Sequence, residues 1–250
     1  INNSRITYIK GDTINIKKIL FKRRKSINCI FHFGEFSRIF QSFKKFDQCF
    51  QSNTLGSHAV FSFCLNYKIK LIYSATSASL GTGNKNKNLS PYAFSKANNL
   101  ELLENLKKWF SLKFEIIYFY NVYGKNQISK GDMATVIGIF EKQYLDNKPL
   151  TVVKPGHQSR RFTHIADTIQ TCVEAWRLNR CEHYSISSKK SYTILQVAKM
   201  FKSRIKLLPP RSGERYSSAL TNMNLSNKVH RKFGKIELKN YITKFLNKQN

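Results

Sequence analysis

Three apolar runs constrain this chain more than any other feature. They are "INCIFHFG" (residues 27–34), "KLIYSAT" (Lys70–Thr76) and "FEIIYFYNVYG" (residues 114–124). Each is short, rich in β-branched or aromatic residues, and runs into small or polar residues, as buried strands do. The segments between them are too long for hairpin turns. They carry helical spacing instead, over residues 53–67 and again at Ala93, Ala97, Leu100, Leu103 and Leu106. Strands separated by helices predict a parallel sheet with helices on both faces, because each connection must cross over the sheet. Ligands of such sheets bind at the carboxyl ends of the strands. Here those ends bring together Gly34, Thr76 and Asn121.

The flanking sequence fills in the rest. "RITYI" (residues 5–9) predicts a short strand, "INIKKILF" a short helix, and the basic "FKRRKS" a solvated turn. Beyond residue 126 the pattern changes. A helix over 133–147 is followed by the strand "LTVV", the loop "PGHQSRRFTHIAD", the helix "TIQTCVEAWRLN" and the strand "EHYSI". A helix then starts behind a threonine cap, Thr193, and the strand "IKLLP" leads into the polar loop "PRSGERYSS". The expected architecture is a sheet domain over residues 1–125 and a smaller lobe over 126–250, interleaved with the sheet.

Composition sets bounds. With 250 residues and 41% hydrophobic content, the chain can bury a sizeable core. Its formal net charge of +29 admits nucleic acid, an anionic membrane or a phosphate-bearing small molecule as partner, and equally a drift toward Lys, Asn, Ile and Phe. No helix-turn-helix spacing, zinc finger or aromatic RNA motif accompanies the charge, so no specific nucleic-acid role is expected. The five cysteines are odd in number, widely spaced and without a CxxC, which argues against a disulfide framework or a structural zinc site. A reducing, cytoplasmic compartment fits them. No apolar run is long enough to span a bilayer, and no metal-ligand spacing occurs.

The chemistry-bearing feature is "SPYAFSK". Ser90-Pro91 marks a helix start. Tyr92 and Lys96, four apart, share one helix face, where an ammonium favours the phenolate and makes a base of a side chain with a pKa of about 10. The same spacing recurs at Tyr144 and Lys148. Spacing alone does not choose between the two pairs.

Several motifs in order resemble one family, the extended short-chain dehydrogenases/reductases, and within it the NAD-dependent epimerase/dehydratase group acting on nucleotide sugars. "CIFHFGEF" resembles the family's "VFHLAA", with Gly34 and Glu35 in place of the usual small pair. Asn53 and Gly56 resemble its Asn-x-x-Gly helix start. "LIYSATSASLG" resembles "VYSSSAAVYG", "PYAFSK" its Tyr-x-x-x-Lys, and "YFYNVYG" its "RYFNVYGP". "GHQSRRFTHIAD" resembles "G.Q.RDF.HVDD", with Arg161 where Asp or Asn is usual and Ala166 for Asp; "PPRSGE" resembles the late "RPGD" element. These matches favour Tyr92 over Tyr144, which lacks a strand-end Ser/Thr before it.

The resemblance implies a Rossmann-like fold, NAD as cofactor, and a nucleotide-diphosphate sugar as substrate. It implies Thr76, Tyr92 and Lys96 as catalytic residues, and Asp12, Phe33, Gly34, Asn53 and Lys96 at the cofactor. It places Thr76, Asn121, Arg160 and Arg211 at the substrate, the arginines suiting a diphosphate through bidentate contacts. His32 is expected to be a strand histidine and not a metal ligand. A homodimer through two helices per subunit is also implied. Ser77 and Ala78 stand where dehydratases carry Asp-Glu, which favours an epimerase or a simple reductase; epimerisation at C4 is the implied reaction, with a dehydratase, a reductase and a non-catalytic binding protein as the alternatives. The glycine fingerprint of the family is absent, since the one G-x-G, Gly81-Thr82-Gly83, lacks a strand–turn–helix setting. The sheet domain is therefore expected to be N-terminally incomplete.

Overall fold

The computed structural model describes residues 3–77, 88–210 and 229–249, with 229–233 described by backbone alone. Along the first half run α1 (Ile16–Leu20), β1 (Cys29–His32), α2 (Ile39–Lys44), α3 (Phe46–Phe50), α4 (Ser57–Asn66), β2 (Lys70–Thr76), α5 (Pro91–Phe110) and β3 (Phe114–Phe119). The second half contributes β4 (Asn121–Tyr123), α6 (Val136–Leu145), β5 (Leu150–Val153), β6 (Ser159–His164), α7 (Ile165–Leu178) and β7 (His183–Ser187). It ends with β8 (Ser191–Thr193), α8 (Ile194–Met200), β9 (Ile205–Leu208), β10 (Val229–Phe233) and α9 (Leu238–Leu246).

The main sheet has the order β1-β2-β3-β7-β10, and every neighbouring pair in it is parallel. Alternate residues of a strand point to opposite faces, and both faces here are covered. Leu71, Tyr73 and Ala75 of β2 and Ile116 of β3 pack with Phe61 and Cys64 of α4 and Leu103 of α5. Ile72 and Ile117 face the other way, onto Cys172 and Ala175 of α7 and Tyr184 of β7. Fully burying side chains of this size stabilises by roughly 1.5–3 kcal/mol each. This is the parallel sheet with helices on both faces expected from the alternation of runs, and the Rossmann-like fold that the resemblance implies.

The second half builds its own core from Tyr123, Phe140, Leu150, Phe162, Phe201 and Ile242. It also sends α7, β7 and β10 back to the main sheet. Two small sheets serve this lobe, β5 with β9 and β6 between β4 and β8.

Several expectations need correction. Residues 5–9 form no strand, and Ile6, Tyr8 and Ile9 lie exposed. β1 is half-buried, with Phe31 42% exposed, because among the described residues it pairs with β2 alone. The run over 114–124 splits at Tyr120, with β3 in the main sheet and β4 in another. The expected arginine loop contains a strand, β6: pairing with β4 and antiparallel β8 outweighs the weak strand preference of Ser159, Arg160 and Arg161. The helix expected over 133–147 begins later, capped by Thr135, whose hydroxyl accepts from Gly138 N at 3.1 Å. The Thr193 cap is present and completed by Gln196 as a capping box.

The helix before β2 starts at Phe46, not at residue 53, because a π-helical turn over Gln51–Gly56 joins α3 to α4. Such turns widen a helix by one residue and turn a side chain or carbonyl out of register. Gly56 closes it where a Cβ would overlap Thr13 Oγ1, so the N-terminal segment lies directly on this turn.

Candidate active site

Helix α5 brings Tyr92 and Lys96 to the site. Ser90 is its N-cap, accepting from Ala93 N at 3.1 Å, and Pro91 occupies the first turn, where its missing N–H costs nothing. The helix therefore starts at a fixed point, and Tyr92 and Lys96 follow one turn apart, 8% and 3% exposed. Thr76, the last residue of β2, hydrogen-bonds the Tyr92 side chain. The decoy pair separates: Tyr144 packs against the second core, and Lys148 lies beyond the end of α6.

These groups face a cavity of about 650 Å³ at the carboxyl ends of β1, β2 and β3. Phe33, Thr76, Tyr92 and Lys96 lie on its wall with Asn121 and Arg160. The carboxyl-edge position is the one expected for parallel sheets.

The electrostatics differ from expectation. Lys96 Nζ forms an ion pair with Glu35 and also donates to Ser74 O. It lies 4.4 Å from the centre of the Tyr73 ring. Glu35 Oε1 accepts from Ser57 Oγ at 2.7 Å, Tyr73 OH at 3.0 Å and Asn99 Nδ2 at 3.1 Å. The carboxylate is thus saturated, as a buried charge must be. Burial lowers the Lys96 pKa, and Glu35 opposes that shift. Tyr92 is pushed up to about 12, by burial first; the Thr76 hydrogen bond works the other way, Glu35 adds to the rise, and Arg38 opposes it. Lys96 was expected to favour the phenolate, but its charge is spent on Glu35.

His32 sits buried beneath the site, 3.0 Å from Ser57 Oγ, and burial lowers its pKa to about 4. It is a neutral strand histidine. No group of His, Cys, Asp and Glu that could hold a metal occurs among the described residues.

The other expected residues divide. Phe33 lies on the cavity wall, its ring 5.3 Å from that of Phe119. Asn121 also lines the cavity, but its Nδ2 donates to Arg161 O at 3.1 Å. Arg160 lines it from β6, with Nη1 donating to its neighbour Ser159 O. Asp12, Gly34 and Asn53 are off the cavity wall. Asp12 caps a short 3-10 turn by accepting from Ile14 N at 3.1 Å. Asn53, in the π-helical turn, accepts from Phe36 N at 2.7 Å and donates to Phe36 O and Ser95 Oγ. Its side chain is engaged in holding the segment after β1. Arg211 lies outside the described residues.

Sequence reasoning missed three groups on this wall. Glu35 was noted only as a departure, although an acidic residue at a strand end is conspicuous in a chain with 14 Asp and Glu against 43 Lys and Arg. Arg38 donates to Met133 O, and its Nε has no partner among the described residues. Gln158, 2% exposed, donates to Val153 O at 3.2 Å, while its Oε1 meets no donor among the described residues. Nothing in a basic, polar sequence singles out the last two.

Comparisons with known proteins bear on the family and the fold. The sequence model of the NAD dependent epimerase/dehydratase family matches residues 2–187. A dTDP-D-glucose 4,6-dehydratase of Dictyostelium discoideum is 27% identical over 184 residues, covering 65% of this chain and 41% of that protein. An uncharacterised UDP-glucose epimerase of Bacillus subtilis is 29% identical over 177 residues, covering 66% of this chain and 54% of that protein. The chain spans about half the length of these curated relatives. Among solved structures, UDP-glucose 4-epimerase of Thermotoga maritima superposes with a TM-score of 0.85 at 19% identity, over 99% of this chain and 86% of that one. A dTDP-glucose 4,6-dehydratase of Streptomyces venezuelae gives 0.85 at 16% identity, over 98% and 80%. At such identities the likeness speaks for the fold.

Proposed function

Since the chain belongs to the NAD-dependent epimerase/dehydratase family, we propose that it acts on a nucleotide-diphosphate sugar by transient oxidation, with C4 epimerisation as the reaction. The observation that carries this reading is the row formed by Thr76, Tyr92 and Lys96 on one cavity wall, with Arg160 on the same cavity.

The donor set fits the reactive end of a nicotinamide cofactor: a phenol, a hydroxyl and an ammonium share one wall beside Phe33. NAD, when bound, supplies reversible hydride acceptance. Lys96 and Phe33 would hold it there; the sequence carries no glycine fingerprint, and no residue of this chain is assigned to its pyrophosphate. Tyr92, once ionised, takes the proton from the sugar hydroxyl at C4 and returns it later. Thr76 donates to the same oxygen and keeps Tyr92 in line. Arg160 and Asn121 face the diphosphate, with Arg211 as a further phosphate contact. Gln158 Oε1 offers an acceptor to a substrate hydroxyl or N–H. Asp12, Gly34 and Asn53 act on the cofactor side by shaping the backbone around β1. The reading carries with it a homodimer, a cytoplasmic setting, and a division of labour between a cofactor domain over 1–125 and a substrate lobe over 126–250. No helix among the described residues is long and apolar enough to cross a membrane.

A second reading, a binding protein that keeps the fold without turnover, draws support from one observation: Lys96 is engaged by Glu35 and Tyr92 is pushed up to about 12. Isothermal titration with NAD⁺, followed by NMR of UDP- and dTDP-hexoses incubated with the loaded protein, separates the two. Interconversion that vanishes in Tyr92→Phe is the enzymic result. Binding of cofactor and sugar nucleotide with no interconversion is the other.

A further inference from the structure

We propose that Glu35 is a positioning residue that withholds the Lys96 charge from Tyr92, so that the resting site holds a neutral phenol and becomes basic only when the Glu35–Lys96 pair opens. The proposal rests on the reading of Tyr92 and Lys96 given above.

The geometry is a competition for one ammonium. Lys96 and Tyr92 leave the same helix one turn apart. Lys96 Nζ is nevertheless turned to Glu35 and to Ser74 O, at the end of β2. Glu35 is held in place from three further elements, by Ser57 of α4, Tyr73 of β2 and Asn99 of α5. Moving it away breaks all three of these hydrogen bonds. The loop that bears it is itself fastened, since Asn53 clamps both the N–H and the C=O of Phe36.

The titratable groups acting on Tyr92 are Glu35, Arg38, Cys49 and Tyr73, and Lys96 stands one turn further along the same helix. Of the charges acting on the phenol, Glu35 opposes its ionisation and Arg38 favours it. Converting Glu35 to a neutral amide leaves two cations and no carboxylate around it. Opposite charge a few ångströms away favours the ionised form.

The test needs neither cofactor nor sugar. The protein is labelled with ¹³Cζ-tyrosine, the Tyr92 resonance is assigned with Tyr92→Phe, and its pH titration is followed in wild type and in Glu35→Gln. The expected result is a Tyr92 midpoint lower by about one pH unit in Glu35→Gln, which is about tenfold more phenolate at a given pH. The drop should disappear in Glu35→Gln with Lys96→Met. An unchanged midpoint in folded Glu35→Gln overturns the proposal. Should that variant not fold, ¹⁵N-lysine NMR of wild type decides, with Lys96→Arg for assignment. A slowly exchanging Lys96 ammonium supports the closed pair, and a freely exchanging one overturns it. Because no turnover is read, a negative result here leaves the family reaction untouched. Absence of turnover likewise leaves the charge competition standing.

Discussion

Lys96 and Glu35 form an ion pair with both side chains withdrawn from solvent, at 4% and 3% exposure. Removing one partner of such a pair strands the other charge in a poor solvent. Glu35→Ala should therefore destabilise the protein by about 3–5 kcal/mol, and Glu35→Ala with Lys96→Met by clearly less. Urea unfolding at pH 7 measures both. Additive losses would show that the two groups are not coupled.

Thr76→Val keeps shape but removes the hydroxyl that lowers the Tyr92 pKa. The Tyr92 midpoint should rise above its wild-type value, and turnover should fall by about 10²-fold or more. The ¹³Cζ titration and steady-state kinetics check these separately. A Tyr92 signal indifferent to Thr76→Val would show that this hydrogen bond is not formed in solution.

Tyr92, pushed up to about 12 from an ordinary 10, makes stability depend on alkaline pH. The folded state keeps its proton where the unfolded chain gives it up. The contribution is complete below pH 10 and is lost as pH rises through 12. Thermal melts between pH 9 and 12 should therefore decline more steeply in wild type than in Tyr92→Phe. Equal slopes would contradict the buried phenol.

His32 works in the opposite sense. Its pKa is lowered from 6.5 to about 4, so the fold favours the neutral ring. Stability is fully present above pH 6.5 and falls as pH drops through 4, by roughly 3 kcal/mol across the window. His32→Asn should flatten the acid limb of a melting-temperature profile. A wild-type profile that is level from pH 7 to 4 would remove His32 from this role.

Asn53→Ala removes the side-chain donor to the buried Phe36 C=O and leaves the Phe36 N–H with Ser52 Oγ, at 3.1 Å, as its acceptor. The cost should be about 1–3 kcal/mol for the unsatisfied carbonyl. NAD⁺ affinity should fall with it, because the loop carrying Glu35 loses its clamp. Calorimetric melting and titration would tell a structural role, which moves both, from a purely contacting one, which moves affinity alone.

What was legible in the sequence was whatever local chemistry decides. The β2 boundaries follow from an uninterrupted apolar run, and the α5 start follows from Ser90-Pro91, whose capping needs no distant partner. The split of residues 114–124 was not legible, because Tyr120 separates two strands that differ only in which sheet accepts them. β6 was hidden for the same reason, its polar residues being held by β4 and β8. The site was half legible. Spacing placed Tyr92 and Lys96 on one face, but the direction of the Lys96 ammonium depends on Glu35, Ser74 and Tyr73, which come from other elements. No periodicity within α5 encodes that choice.

The π-helical turn over Gln51–Gly56 also fixes a phase. A regular α-helix advances about 100° per residue. The one extra residue in that turn therefore offsets the azimuth of α3 from that of α4 by about that angle. Cys49 can then face Tyr92 while Val60, Phe61 and Cys64 face the main sheet, along what is otherwise one continuous rod. Deleting a single residue between Gln51 and Gly56 would leave composition and helix content almost unchanged, yet it would rotate one half of the rod against the other. Length within this helix is thus as strictly specified as residue identity, and a one-residue indel here is a different kind of change from one in a surface loop.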